Sequence, residues 1–254
     1  MSATDNSAEG RKKFISTLKL SAAAASPHLP AAGAGDDTML DFGFVNLGSL
    51  QAFTAGISSQ HRQDVLNSTL LAQLAADANF NRQTQIDDWY TEYIGILSRV
   101  GWSISPFVFI PHVKGATTTT TAQLIPAVLA KLLTPAGLND LSATVNKIES
   151  LGSADARVKL FESSAAAGNS GNFQTAVISP DASNNEVMAI GAWHYVSSMP
   201  GPDFLNFDVN SPNIHLFYSI QMARLNERVY SLVRAAIIAK LGAKVRTSIA
   251  NLDI

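Results

Sequence analysis

The sequence contains no cysteine. Disulfides, thiolate zinc sites, iron–sulfur clusters and thiol nucleophiles are therefore excluded. Charge is scarce too. Only 15% of the 254 residues are charged, against roughly a quarter in an average globular domain. The formal net charge is −2, so the basic field that holds nucleic acid is missing and no such partner is expected. A weakly charged surface suits contact with a lipid or membrane surface, or a homo-oligomer. No stretch reaches 18 consecutive apolar residues, so an ordinary transmembrane helix is not expected. What is abundant is hydrophobic material, at 46%, enough for a sizeable core in one domain spanning residues 40–254.

Residues 1–39 read as a flexible leader rich in Ala, Ser, Pro and Gly. Within it, "RKKFISTLKLSAAAAS" has the basic start and apolar middle of a secretory signal, and residues 32–34 offer a small-residue cleavage site. Against that, Lys19 interrupts the apolar middle and ten residues precede Arg11. The compartment stays open between a soluble cytoplasmic and an exported protein.

Helical periodicity predicts helices over residues 58–80 and 84–102. In the first, Val65, Leu66, Leu70 and Leu74 share a face. In the second, Thr84 with Asp87 fits a capping box, Ile86, Trp89, Tyr90, Tyr93, Leu97 and Val100 line one side, and Gly101 supplies the stop. Residues 103–113, rich in β-branched and aromatic side chains between prolines, predict an edge strand. A threonine run then leads into an apolar helix from residue 122, with Pro126 in its first turn. Two more helices are expected over residues 134–152 and 153–163. The period then changes from 3.6 to 2, predicting strands over 172–179, 186–198, 203–209 and 213–224. The strand around residues 187–196 is apolar on both alternating sets, hence buried on both faces. A last helix starts at the N-cap Asn226 and ends at Gly242, with Val229, Leu232, Val233, Ala236, Ile237 and Leu241 as its stripe. The fold class is α+β: a mainly antiparallel sheet of about four to five strands sandwiched by helices on both faces.

One loop, "AAAGNSGN", stands out before the strands. It lacks the lysine of a Walker loop, and it precedes a strand where that loop needs a helix. Nor does it match the Gly-x-Ser-x-Gly of a nucleophile elbow. Its composition reads as a surface turn from a helix ending near Glu162 into a strand starting near Phe173. Gly168 and Gly171 would supply positive φ there. The alternative is an anion-binding loop made of Gly168, Asn169, Ser170, Gly171 and Asn172.

The histidines are His28, His61, His112, His194 and His215. None shows a metal-ligand spacing, so no metal is expected, and no motif calls for a cofactor. A Ser/His hydrolase would need His194 or His215 to meet a serine such as Ser164 in space. Asp87 and Asp88 suit the helix dipole rather than acid–base work. Trp89, Tyr90 and Tyr93 read as core. The apolar helix carrying Leu124, Ile125, Val128, Leu129, Leu132 and Leu133 reads either as core or as a segment that enters a lipid interface.

The stretches "DDWYTEYIGILSRVGW", "LFESSAAAGNSGNFQ" and "LNERVYSLVRAAIIAKLG" resemble a family of uncharacterised soluble proteins of about this length from bacteria and fungi. The resemblance covers most of the chain after Leu40 and brings no catalytic residue with it. In architecture, the expected helix-wrapped sheet is similar to Evf-type virulence factors and Cyt-type membrane-active toxins. It implies a non-enzymatic, toxin-like effector or defence protein that acts on lipid or membrane. An oligomerising interaction module is the alternative, and a hydrolase the second.

Overall fold

The computed structural model describes residues 6–22, 42–183, 185–199 and 205–254. His28, the cleavage-site residues 32–34 and most of the stretch read as a leader lie outside the described residues. Within that stretch, however, α1 (Ala8–Thr17) forms on the N-cap Ser7, and its Ile15 is 1% exposed. This part of the leader is thus a packed helix.

A hairpin follows, β1 (Gly43–Asn46) and β2 (Ser49–Phe53), which periodicity did not reveal. Both strands are buried on both faces, so no polar–apolar alternation marks them. The long α2 (Ser59–Asn79), capped by Ser58, matches the helix expected over residues 58–80. The next helix, α3 (Ile86–Val100), ends at Gly101 with φ 118. Its N-cap is Gln85, with no side-chain cap bond, so the expected Thr84–Asp87 capping box does not form. Asn81 takes the local donors instead: its Oδ1 accepts the N–H groups of Gln83 and Thr84.

The expected edge strand reduces to β3 (Trp102–Ser103) and β4 (Ile110–Pro111), both antiparallel to β8 (Ile214–Leu225). Pro106 interrupts the stretch between them and cannot donate to a ladder. The apolar helix is α4 (Thr121–Leu129), opened by a Thr120–Gln123 capping box. Pro126 lies in its interior rather than its first turn, which leaves the Ala122 carbonyl without its helical donor. Then come α5 (Pro135–Ser150), α6 (Ala156–Ala165), β5 (Ala166–Ala167), β6 (Ser170–Pro180) and β7 (Glu186–Ser197). The described part of the expected strand over 203–209 is a set of turns with a single bridge, Thr120 to Asp208. The last helix breaks into α7 (Glu227–Tyr230) and α8 (Arg234–Leu241), followed by α9 (Lys244–Ser248) and β9 (Ile249–Asn251).

Among the described residues the sheet therefore has nine strands, ordered β3-β8-β7-β6-β2-β1-β9, with β4 on β8 and β5 on β6. It is larger than the four to five strands expected, and it is not wholly antiparallel, because β2 pairs parallel with β6. The parallel join goes with the five helices, α2 to α6, that intervene between those two strands. As expected, β7 is buried on both faces for most of its length.

Alternation along the strands assigns the two faces. Asn46, Gln51 and Gln174 point toward α2 and α3, as their hydrogen bonds to Thr69 and Tyr90 show. Val177, one step off that set, meets Gly137 of α5 on the other face. On this second face, Phe161, Phe173, Trp193 and Tyr218 form a continuous run of ring contacts. Helices cover both sides, as the sequence implied.

Candidate functional site

The α2 face of the sheet is unusually polar for a core. Asn46, Gln51, Asn172 and Gln174 are all at most 1% exposed, as are Thr69 and Gln73 of α2. Each finds partners across the layer. Asn46 and Gln51 both donate to the Thr69 hydroxyl (2.9 and 3.0 Å), and Gln73 donates to the Asn46 carbonyl at 2.9 Å. The Tyr90 hydroxyl donates to Asn172 Oδ1 at 2.6 Å and accepts from Gln174 Nε2 at 2.9 Å. Burial raises the pKa of that phenol well above the usual tyrosine range, with the Gln174 hydrogen bond a smaller opposing influence. It stays neutral and keeps both roles.

This layer ends at Arg82, in the short connection between α2 and α3. Arg82 is 4% exposed. Its guanidinium donates to both oxygens of Asp77 (3.0 and 3.1 Å) and to Gln73 Oε1 (3.1 Å), and stacks 4.4 Å from the Trp89 ring. Trp89 Nε1 donates to the same Asp77 at 2.7 Å, and Asn172 Nδ2 donates to the Arg82 carbonyl at 2.8 Å. Every group that holds Arg82 is thus itself held. Its Nη1 is the exception: it is buried and has no hydrogen-bond partner among the described residues.

A cavity of about 290 Å³ opens beside Arg82. Leu47, Leu74 and Phe80 give it apolar walls; Asp77, Asn81, Gln83, Ser163 and Ser164 give it polar ones. Leu47 has φ 50 in the β1–β2 turn, a left-handed conformation that a bulky residue rarely adopts and that costs on the order of 1–3 kcal/mol. The next residue, Gly48, leaves the space that Nη1 occupies: a Cβ there would lie 2.1 Å from it.

The loop candidates divide. Gly168 has φ 60 and turns the β5–β6 hairpin at the surface. Asn169 donates to the Ser197 carbonyl at 2.8 Å, and Ser170 to that of Ala167 at 3.3 Å. Gly171 and Asn172 are buried within β6, not in the turn. Gly171 does not take positive φ; it is needed because a Cβ there would lie 2.2 Å from the Tyr195 ring. Asn172 is the member of the set that touches a cavity residue, through its bond to the Arg82 carbonyl. The preceding helix runs to Ala165 and the strand starts at Ser170, so the turn is tighter than the composition implied.

Leu124, Ile125, Val128 and Leu129 are buried in the core, and Leu132 and Leu133 pack partly against it. Contact with lipid by this segment would require α4 to leave the sheet. Trp89, Tyr90 and Tyr93 are core, as read. Asp87 and Asp88 lie in the first turn of α3.

Among the described residues no histidine hydrogen-bonds a serine. His194 Nδ1 lies 3.1 Å from the Gly171 carbonyl, so it carries the proton, and burial lowers the pKa of this histidine. His112 meets Asn210, and His215 is exposed. Ser163 and Ser164 both donate to the Leu160 carbonyl. Among the described residues, neither His194 nor His215 thus meets the serine that the hydrolase reading required. About 24 Å along α2 from Asp77, by helical rise, His61 meets Glu186 and Glu227, the group of described residues whose chemistry suits a metal. Burial raises the Glu186 pKa; His61 opposes that, while Glu227 and Asp64 add to it.

No family model and no curated protein matches this chain. A solved structure, of the Evf virulence factor, is weakly similar: 11% identity and a TM-score of 0.34, over 92% of this chain and 89% of that one. Among the described residues no helix is long and apolar enough to cross a membrane.

Proposed function

We propose that this protein is an effector that works by occupancy rather than turnover, binding a small polar ligand in the cavity at Arg82. The observation that carries the reading is that Arg82, which lines that cavity, keeps its Nη1 buried without an acceptor. An unmet buried donor is costly, and a ligand oxygen would relieve it. Asp77 balances the Arg82 charge, so a carbonyl or single carboxylate suits the site better than a multiply charged phosphate. Leu47, Leu74 and Phe80 would take the apolar body of the same ligand. The test is a titration of propionate and of inorganic phosphate, followed through the Arg82 Nε–H resonance. Saturable movement with propionate, lost in Ser163→Trp at the exposed rim, supports the reading. An unmoved resonance at millimolar propionate refutes it.

A second reading, contact with a lipid surface, rests on a different observation. Val108, Ile110 and Val113 are 70%, 49% and 85% exposed in the proline-bounded segment at the sheet edge. Unlike the apolar side chains of α4, these are already exposed. Co-sedimentation with neutral and anionic vesicles that is lost in Val108→Asp/Val113→Asp supports it. Failure to bind, or a dimer by light scattering that the same variant dissolves, refutes it in favour of no partner or a second copy.

A further inference from the structure

The geometry points to a binding site for a divalent transition metal, of the Zn2+ or Mn2+ class, formed by His61, Glu186 and Glu227. The three residues come from the first turn of α2, the first position of β7 and the first position of α7. Each offers one ligand atom, and the three atoms lie within 4.8 Å of one another. Ligands 2.0–2.2 Å from a zinc ion sit roughly 3.5 Å apart. Side-chain rotation of Glu227, which is 36% exposed, can supply that contraction.

Proximity of acidic groups alone would not make a site. The second observation is the state of the carboxylates. Glu186 is 2% exposed, and its Oε2 has no hydrogen-bond partner among the described residues; the same is true of Glu227 Oε2. A His61–Glu186 ion pair uses only Nδ1 and Oε1. It leaves both of those oxygens unmet, in a setting where an unmet charged acceptor is expensive.

The surroundings supply charge and support. Arg234 donates to both oxygens of Asp64 (2.9 and 2.7 Å) and also to Glu227. Gln60 donates to Asp64 as well. Three carboxylates (Asp64, Glu186, Glu227) face the Arg234 guanidinium here, an excess of acidic groups that a divalent cation offsets. Arg234 holds Glu227 from behind, as the outer partners of a metal ligand do. The donor set decides the class of ion. One imidazole nitrogen with two carboxylates disfavours Mg2+ and Ca2+, which prefer oxygen alone, and the absence of thiolates disfavours soft ions. Three protein ligands leave a coordination position open, and the partly exposed His61 and Glu227 give access to it. The bound ion would tie three elements that are distant in the chain.

The test uses the full chain, stripped with chelator and titrated with Zn2+ and with Mn2+ by calorimetry. Thermal unfolding is followed at several metal concentrations. The expected result is one ion per chain and an unfolding midpoint that rises with metal. Glu227→Gln and His61→Gln should each weaken binding by at least about 10-fold, judged against the loss that even outer-shell changes produce. Both positions are partly exposed, so both variants should fold by circular dichroism. With Co2+ as a spectroscopic substitute, the visible bands should vanish in His61→Gln, which a purely structural role would not explain. No binding by the wild type overturns the proposal, as does unchanged affinity in either variant.

Discussion

Gly48→Ala should be unusually costly for a change of one methyl group. The added Cβ would sit 2.1 Å from Arg82 Nη1 and 3.5 Å from the backbone of Ser164. Ordinary contact begins near 3.4 Å, so the guanidinium must move by more than about 1 Å. An arginine at a surface would swing aside. This one is held by three hydrogen bonds to Asp77 and Gln73 and by Trp89. Displacing it gives up at least one charge-assisted bond, about 1.5–3 kcal/mol. Overpacking adds about 1–3 kcal/mol, and the stiffer unfolded chain returns about 0.4–1 kcal/mol. A net destabilisation of about 1.5–5.5 kcal/mol follows. Urea unfolding of Gly48→Ala, Arg82→Met and the double variant measures it. Because the second change removes Nη1, the double variant should be more stable than the sum of the two by at least about 1 kcal/mol. Additivity within about 0.5 kcal/mol, or a neutral Gly48→Ala, would refute the argument.

At Gly171, a valine should destabilise by about 1–3 kcal/mol through collision with Tyr195, while Ser170→Ala should be neutral in the same denaturation assay; equal effects would contradict the assignment of the clash. Tyr90→Phe strands Asn172 Oδ1 and loses the acceptor of Gln174 Nε2 in the core, so a loss of about 1–3 kcal/mol is expected by calorimetry. His194 has its pKa lowered by burial. Its contribution to stability is therefore complete above the unfolded-state value near 6.5 and declines as pH falls toward the folded value. His194→Gln should flatten that part of the stability profile between about pH 7.5 and 5, and identical slopes in the two proteins would refute it.

The helices were legible where one face is apolar and a terminal residue marks the end. Gly101 after α3 and Asn226 before α7 are both where the sequence places them. The errors have physical causes. The last helix breaks after Tyr230 although its stripe continues, and Leu232, on that stripe, is 51% exposed. Strands β1 and β2 carry Asn46, Ser49 and Gln51 into the core, so they lack the alternation that betrays a half-buried strand. Their pairing with β6 depends on what folds between them, which no local pattern contains.

The candidate sites were hidden for a related reason. Asp64, Asn67, Ser68, Thr69 and Gln73 are polar residues of α2, yet all are buried. A helix with one polar side can be covered on that side if the layer above it hydrogen-bonds back. Here the sheet does so through Asn46 and Gln51, and Arg234 does so at Asp64. Polar residues then cease to signal surface, and the two ends of α2 become the places where buried charge must be matched. At one end, Arg82 meets Asp77 with one nitrogen left over. At the other, Glu186 and Glu227 each keep an oxygen without a donor. His61, Glu186 and Glu227 are far apart in sequence, so a search for ligand spacing along the chain could not join them; convergence of α2, β7 and α7 does. Asn172 was singled out for its neighbours Gly171 and Ser170, as part of a loop. Its role lies in the strand, where its amide reaches the backbone of Arg82.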